Sequence, residues 1–109
     1  MNMLTAKEAK TQNVQRANSQ KIIIDGIIRK QDRFLEYATQ VAIEKGLTRA
    51  STNYQMGAGD CKELNANDMD AFFAALQEYL EGFGYKVEAW TQPIFHQCTV
   101  SWDWTDIKI

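Results

Sequence analysis

The sequence predicts an α+β fold: a long N-terminal helical segment, then a β-α-β-β unit with a small antiparallel or mixed sheet. Three observations support this prediction. Helical periodicity extends almost to residue 45, a second helical stripe follows residue 67, and polar and apolar residues alternate near the C-terminus. The 109 residues suffice for one hydrophobic core. We expect a helical arm over residues 1–20 and a single α+β domain over residues 21–109.

The N-terminal helix begins at a capping box formed by Thr5 and Glu8. The Thr5 hydroxyl can accept from the Glu8 amide, and the Glu8 carboxylate can accept from the Thr5 amide. Residues 6–20 then carry only a narrow apolar stripe. A helix with so little apolar surface is marginally stable alone, so we expect it to pack against another element or another chain.

The helical stripe widens between residues 24 and 42, where isoleucine, leucine, valine, alanine and phenylalanine recur at steps of three and four. Gly46 is suited to end the helix, because glycine adopts the left-handed conformation without penalty. Gly26 lowers helix propensity inside this segment. Residues 6–45 could therefore form one helix or two.

The remaining elements follow from alternation and from turn residues. Residues 47–56 alternate as a strand, and residues 56–60 form a glycine-containing loop. A second helix is expected to start with Asn67 as its cap and to stop at Gly82. Two further alternating segments predict a hairpin that turns around residues 92–94.

The charge is distributed unevenly along the chain. Residues 1–49 hold nine basic and five acidic side chains, whereas residues 50–109 hold three basic and nine acidic ones. Such a chain can dock head to tail with copies of itself or with a charged partner, although a solvated helix face in each half would also explain the pattern. The overall acidity disfavours nucleic acid as a partner.

Few residues suggest chemistry. His96 is the only histidine, and it precedes Cys98 by two residues. On a strand both side chains would share a face, where Cys61 or Asp60 could complete a zinc site, or Cys61 could pair with His96 as a nucleophile. No paired metal-ligand motif accompanies them, and we expect packed, reduced thiols instead. No catalytic residue, metal or cofactor is assigned.

Tryptophan and tyrosine concentrate towards the C-terminal end. Trp and Tyr at a surface are frequent interface hot spots. We expect one or two tryptophans to pack in the core and the rest to contact a protein. The residues assigned to a protein interface are Val14, Arg16, Trp90, Trp102 and Trp104.

Both ends of the chain resemble a loose set of small tailed-bacteriophage proteins. Those proteins begin with a capped "LTAKEA" helix, matched here by residues 4–9. They end with a "GYxVE…TISW" hairpin, matched by residues 84–88 and 99–102. The resemblance implies a phage origin and an α+β fold, and it transfers no active site.

These observations lead us to expect a non-enzymatic bacteriophage protein that acts through protein–protein contacts. It would be a small structural or accessory component of the virion, made in the bacterial host cytoplasm. Its partners would be other phage proteins or copies of itself. A membrane partner is not expected, since the longest apolar run, residues 22–24, is far too short to span a bilayer. The alternative is an early host-takeover or anti-defence inhibitor that binds a host protein or a small ligand.

Overall fold

The computed structural model describes residues 3–92 and 97–108. The element order is helix α1 (Ala6–Glu44), strand β1 (Arg49–Gln55), a single 3₁₀ turn (Gly59–Cys61), helix α2 (Ala66–Glu81), strand β2 (Lys86–Gln92) and strand β3 (Gln97–Asp103). The α+β class that the sequence predicts is confirmed.

Helix α1 is a single helix of 39 residues. It runs through Gly26 without a break, and the predicted capping box is present: the Glu8 amide donates to Thr5 Oγ1 at 3.1 Å. The helix ends where the sequence predicts, because Gly46 follows it with a φ of 76°, in the left-handed region.

The sheet has three strands in the order β1-β3-β2, and both pairs are antiparallel. Val100, in the middle of β3, lies between Thr52 of β1 and Ala89 of β2. The antiparallel pairing of the last two strands is confirmed. Of the predicted turn at residues 92–94, all but Gln92 lies outside the described residues. Because β1 and β2 both run antiparallel to β3, they are parallel to each other, and α2 connects them.

Helix α2 is capped by Asn65, so the prediction that Asn67 forms the cap is wrong. The Asp68 amide donates to Asn65 Oδ1 at 2.9 Å, and the Asn65 amide donates to Asp68 Oδ2 at 3.1 Å. Leu64 precedes this cap and Met69 follows it, and both are buried in the core. That arrangement is the pattern of a hydrophobic staple, which a cap at Asn67 would lack.

The core lies between the inner face of the sheet and the two helices. Trp102, in β3, is fully buried, and its indole Nε1 donates to Thr39 Oγ1 of α1 at 2.9 Å. Thr39 in turn donates to the carbonyl oxygen of Leu35 at 2.8 Å. The central strand is therefore fixed to α1 by both packing and a hydrogen bond.

A second polar link joins α1 to β1 and to the 3₁₀ turn. Gln31 is buried in α1, where its Oε1 accepts from the Tyr54 hydroxyl at 3.2 Å. Its Nε2 donates to Asp60 Oδ2 at 2.6 Å. Both ends of this buried amide are satisfied, so it orients three elements without leaving a polar atom unpaired.

The Thr39→Val substitution should lower the free energy of unfolding by about 1–3 kcal/mol, because the buried indole N–H of Trp102 loses its acceptor while the side-chain volume is kept. Thr39→Ser retains the hydroxyl and is the matched control, with a smaller loss. Urea unfolding followed by tryptophan fluorescence measures both. Equal losses in the two variants would show that the hydrogen bond contributes nothing.

Candidate protein-binding surfaces

The N-terminal part of α1 projects from the domain. Every side chain from residue 6 to residue 19 is exposed, and Ile24 is the first buried one. Gln20 makes the first contact with α2, since its Nε2 donates to Asp68 Oδ1 at 2.8 Å. The fourteen preceding residues, which we call the exposed arm, extend about 21 Å beyond that contact. This distance is about a third of the molecule's longest extent, 64 Å.

The exposed arm carries three cations and one carboxylate. Lys7 and Lys10 lie near its tip, and Arg16 lies near its base. The hydrogen bond from Gln20 lowers the pKa of Asp68, and the backbone bond from Asn65 and the charge of Arg16 lower it further. Of the two arm residues assigned to an interface, Arg16 therefore lies close to α2, whereas Val14 is 49% exposed on the free part.

The three tryptophans occupy different environments. Trp90 is 48% exposed on the outer face of the sheet, opposite Thr99. Trp104 is half-buried and its ring meets Tyr85 edge to face, with centroids 5.9 Å apart. Trp102 is fully buried, so its assignment to an interface is wrong. The alternation along β3 places Trp102 on the inner face, and only the packing of α1 shows that this face is closed.

A groove beside β1 was not anticipated from the sequence. It has a volume of about 710 Å³ and is lined by Phe34 and Tyr37 of α1, by Leu47, and by Trp90. Phe34 and Tyr37 are 47% and 67% exposed. Phe34 belongs to the apolar stripe over residues 24–42, which the periodicity predicts to face the core. The sequence does contain a signal for the exposure of these aromatic side chains, because the apolar stripe of α1 is wider than one buried helix face requires.

The two cysteines are buried and reduced. Cys61 and Cys98 are each 1% exposed, and Cys98 lies opposite Tyr54 in the sheet. Burial, followed by the charge of Asp70, raises the pKa of Cys98 to about 11. Burial and the charge of Asp60 also raise the pKa of Cys61. Both thiols are therefore protonated near neutral pH, which is unsuited to nucleophilic attack.

His96, the histidine considered as a zinc ligand or base beside these thiols, lies outside the described residues. Across residues 3–92 and 97–108, no three His, Cys, Asp or Glu side chains converge in a metal-binding arrangement. In the same residues, no helix combines the length and the apolarity needed to cross a bilayer.

Comparison of the chain with protein-family models, with curated proteins and with solved structures finds no match in any of the three.

Both thiols of the native protein should react far more slowly with a thiol reagent than free cysteine does, at about pH 8. Raising the pH from about 9 to about 11 should destabilise the fold. Over this range the Cys98 thiol ionises in the unfolded chain before it ionises in the folded protein, where its pKa is about 11, so ionisation favours unfolding. Labelling kinetics and thermal unfolding measure the two effects. Rapid labelling of the native chain would contradict this burial.

The two helix caps should differ in their effect on stability. Asn65→Ala should cost about 1 kcal/mol of unfolding free energy, because α2 packs on the core. Thr5→Ala should leave the global transition unchanged, because the exposed arm can unfold locally without opening the core. Thermal unfolding compares the two variants, and a comparable loss for Thr5→Ala would show that the exposed arm unfolds with the domain.

Proposed function

We propose that this protein acts without catalysis, by binding other proteins through the exposed arm of α1. In this proposal it is a small structural or accessory component of a tailed-phage particle. The observation that carries the proposal is that a continuous helix presents residues 6–19 with no buried side chain. Other phage proteins, or copies of this chain, are its partners.

The physical argument concerns the stability of the exposed arm. Isolated helices of this length are marginal in water, and most helix stability in proteins comes from packing an apolar face. Within the described residues, the exposed arm buries none of its side chains against the domain. A partner that covers Val14 and the neighbouring alanines would supply the missing contact. The lysines near the tip favour an acidic partner surface.

The phage context rests on the resemblance of the two chain ends to small tailed-phage proteins. Those ends form the capped start of α1 and parts of β2 and β3, so the resembling motifs occupy structural positions. No active site accompanies them in the resemblance. In a particle-assembly role, the α+β domain would act as a scaffold, and the exposed arm would be the helix that binds the partner.

The alternative function, an early inhibitor of a host protein, is favoured by the groove beside β1. Its exposed aromatic side chains, Phe34, Tyr37 and Trp90, are the residue types that anchor protein interfaces. An inhibitor would use this groove on the domain. A particle component would use the exposed arm.

Mass spectrometry of purified particles tests the proposal. The full-length chain should be present, and a chain lacking residues 2–15 should be folded and soluble but absent from particles. Lys7→Glu combined with Lys10→Glu should lower incorporation severalfold, because it reverses the charge at the tip of the exposed arm. Lys62→Glu combined with Lys108→Glu makes the same change of charge at exposed positions elsewhere and is the matched control.

Absence of the full-length chain from particles would overturn the structural role. Recovery of a stoichiometric host protein with the chain from uninfected cells would then support the inhibitor. Normal incorporation of the shortened chain would show that the exposed arm is not the binding element.

A further inference from the structure

Among residues 3–92 and 97–108, β1 and β2 each pair only with β3, so each has one open edge whose backbone groups can be assigned. The Trp104 amide donates to the Thr48 carbonyl at 3.0 Å, so these two opposite residues form a hydrogen-bonded pair. Such pairs alternate along an antiparallel ladder. In β1, the backbone groups of Ala50, Thr52 and Tyr54 therefore point towards β3. Those of the residues between them, Ser51 included, point towards the open edge.

The same alternation assigns the edge of β2. Backbone groups of residues 98, 100 and 102 in β3 are used by β1, so those of residues 97, 99, 101 and 103 point towards β2. Their partners in β2 are residues 92, 90, 88 and 86. The backbone groups of Val87, Ala89 and Thr91 consequently point away from the sheet. Neither edge strand contains a proline, the simplest device that blocks further pairing.

The β1 edge lies among cations. Lys45 lines the groove beside β1, and Lys30 lines the adjoining cleft that shares Phe34. Arg49 also lines the groove, but its guanidinium donates to Ser101 Oγ of β3 at 3.1 Å and so points across the sheet. The one carboxylate lining these two clefts is Asp60, which accepts a hydrogen bond from Gln31. The charged side chains around the β1 edge are therefore mainly basic.

The β2 edge has the opposite surrounding. Asp70 lines a cleft with Thr91 at this edge, and Glu88 is exposed on β2 itself. Lys86, at the start of β2, is the strand's one cation. The difference between the two edges follows the charge division of the chain, because the cations come from residues 1–49 and the carboxylates from residues 50–109.

We propose that the β1 edge of one copy pairs with the β2 edge of a second copy, so that the two three-stranded sheets join into one. Pairing of β1 with another β1 would bring Lys30 and Lys45 close to the same cations of the other copy, which disfavours it. Parallel pairing of β1 with β2 brings the later part of β1, where Lys30 lines the cleft, beside the later part of β2, where Asp70 lies. Near the start of β2, Lys86 and Glu88 carry opposite charges. This pairing also leaves the helices of both copies on one side of the sheet.

This contact is heterologous, because it joins two different edges. Each added copy presents a new open edge, so association continues into a filament, or closes into a ring if the rotation between copies permits. The new strand pair is parallel, since β1 and β2 point the same way within one copy. The pairing involves only the sheet edges and holds whether or not the exposed arm binds a partner.

Proline substitutions at the two edges test the proposal in the full-length chain. Ser51→Pro and Ala89→Pro each remove an N–H that points away from the sheet, which an edge strand tolerates. The average mass of the unsubstituted chain should rise with concentration in sedimentation experiments. Each proline variant alone should remain at the mass of one chain, because one of its two edges is blocked.

Mixing the two variants distinguishes the possible pairings. Ser51→Pro retains an open β2 edge and Ala89→Pro retains an open β1 edge, so an equal mixture should form a complex of two chains and stop there. Ser51→Val and Ala89→Val keep both N–H groups and should associate like the unsubstituted chain. Salt should weaken the association, because the charges at both edges are exposed.

Several results would overturn the proposal. Self-association of Ala89→Pro alone would indicate β1–β1 pairing, and self-association of Ser51→Pro alone would indicate β2–β2 pairing, where Lys7→Glu combined with Lys10→Glu in the same chain leaves the association unchanged. Association that this double change removes would belong to the exposed arm and would overturn edge pairing as its cause. An unsubstituted chain that stays at the mass of one chain at every concentration would exclude edge pairing altogether. Circular dichroism confirms that each proline variant is folded. If Ser51→Pro unfolds, Ser51→Glu replaces it. This change keeps the N–H and places a carboxylate at the β1 edge, where it would face the acidic β2 edge of the next copy, so it should reduce association.

Discussion

The position of the whole sheet depends on how Trp102 meets α1. Within the sheet both outer strands pair only with β3, so the central strand links them. Trp102 joins this central strand to α1, because its buried ring packs in the core while its indole N–H donates to Thr39. Gln31 then fixes the orientation of β1 and the 3₁₀ turn through Tyr54 and Asp60. Packing holds these layers together, and two buried polar contacts specify how they align.

One helix serves two physical roles along its length. Between residues 24 and 42, α1 closes the core, because Ile24, Ile27, Ile28 and Leu35 are buried in the core cluster. Between residues 6 and 19 the same helix has no buried side chain. Because the helix is continuous, the rigid core segment sets the direction in which the exposed arm points. A partner would meet a helix that is already oriented, although not yet stabilised.

The surface combines features that proteins use for contact with other proteins. The exposed arm is basic, the β1 edge is open and lies beside exposed aromatic side chains, and the β2 edge is acidic. Soluble proteins usually block open strand edges with proline, inward charges or a covering element. Here both edges keep their backbone groups available, and the charge around each favours a different neighbour. The two cysteines take no part in this surface, since both are buried and protonated.

The sequence by itself determined those structural features that depend only on residues close together along the chain. The capping box at Thr5, the helix end at Gly46 and the strand alternation near the C-terminus follow from local hydrogen bonding and side-chain direction, and the structure contains all three. Tertiary packing decided the rest. Burial of Leu64 and Met69 selected Asn65 as the cap of α2, and the closed inner face of the sheet put Trp102 in the core. Phe34 carries the periodicity of a core residue yet is nearly half exposed, because periodicity shows which side of a helix is apolar but not how much of it a neighbour covers.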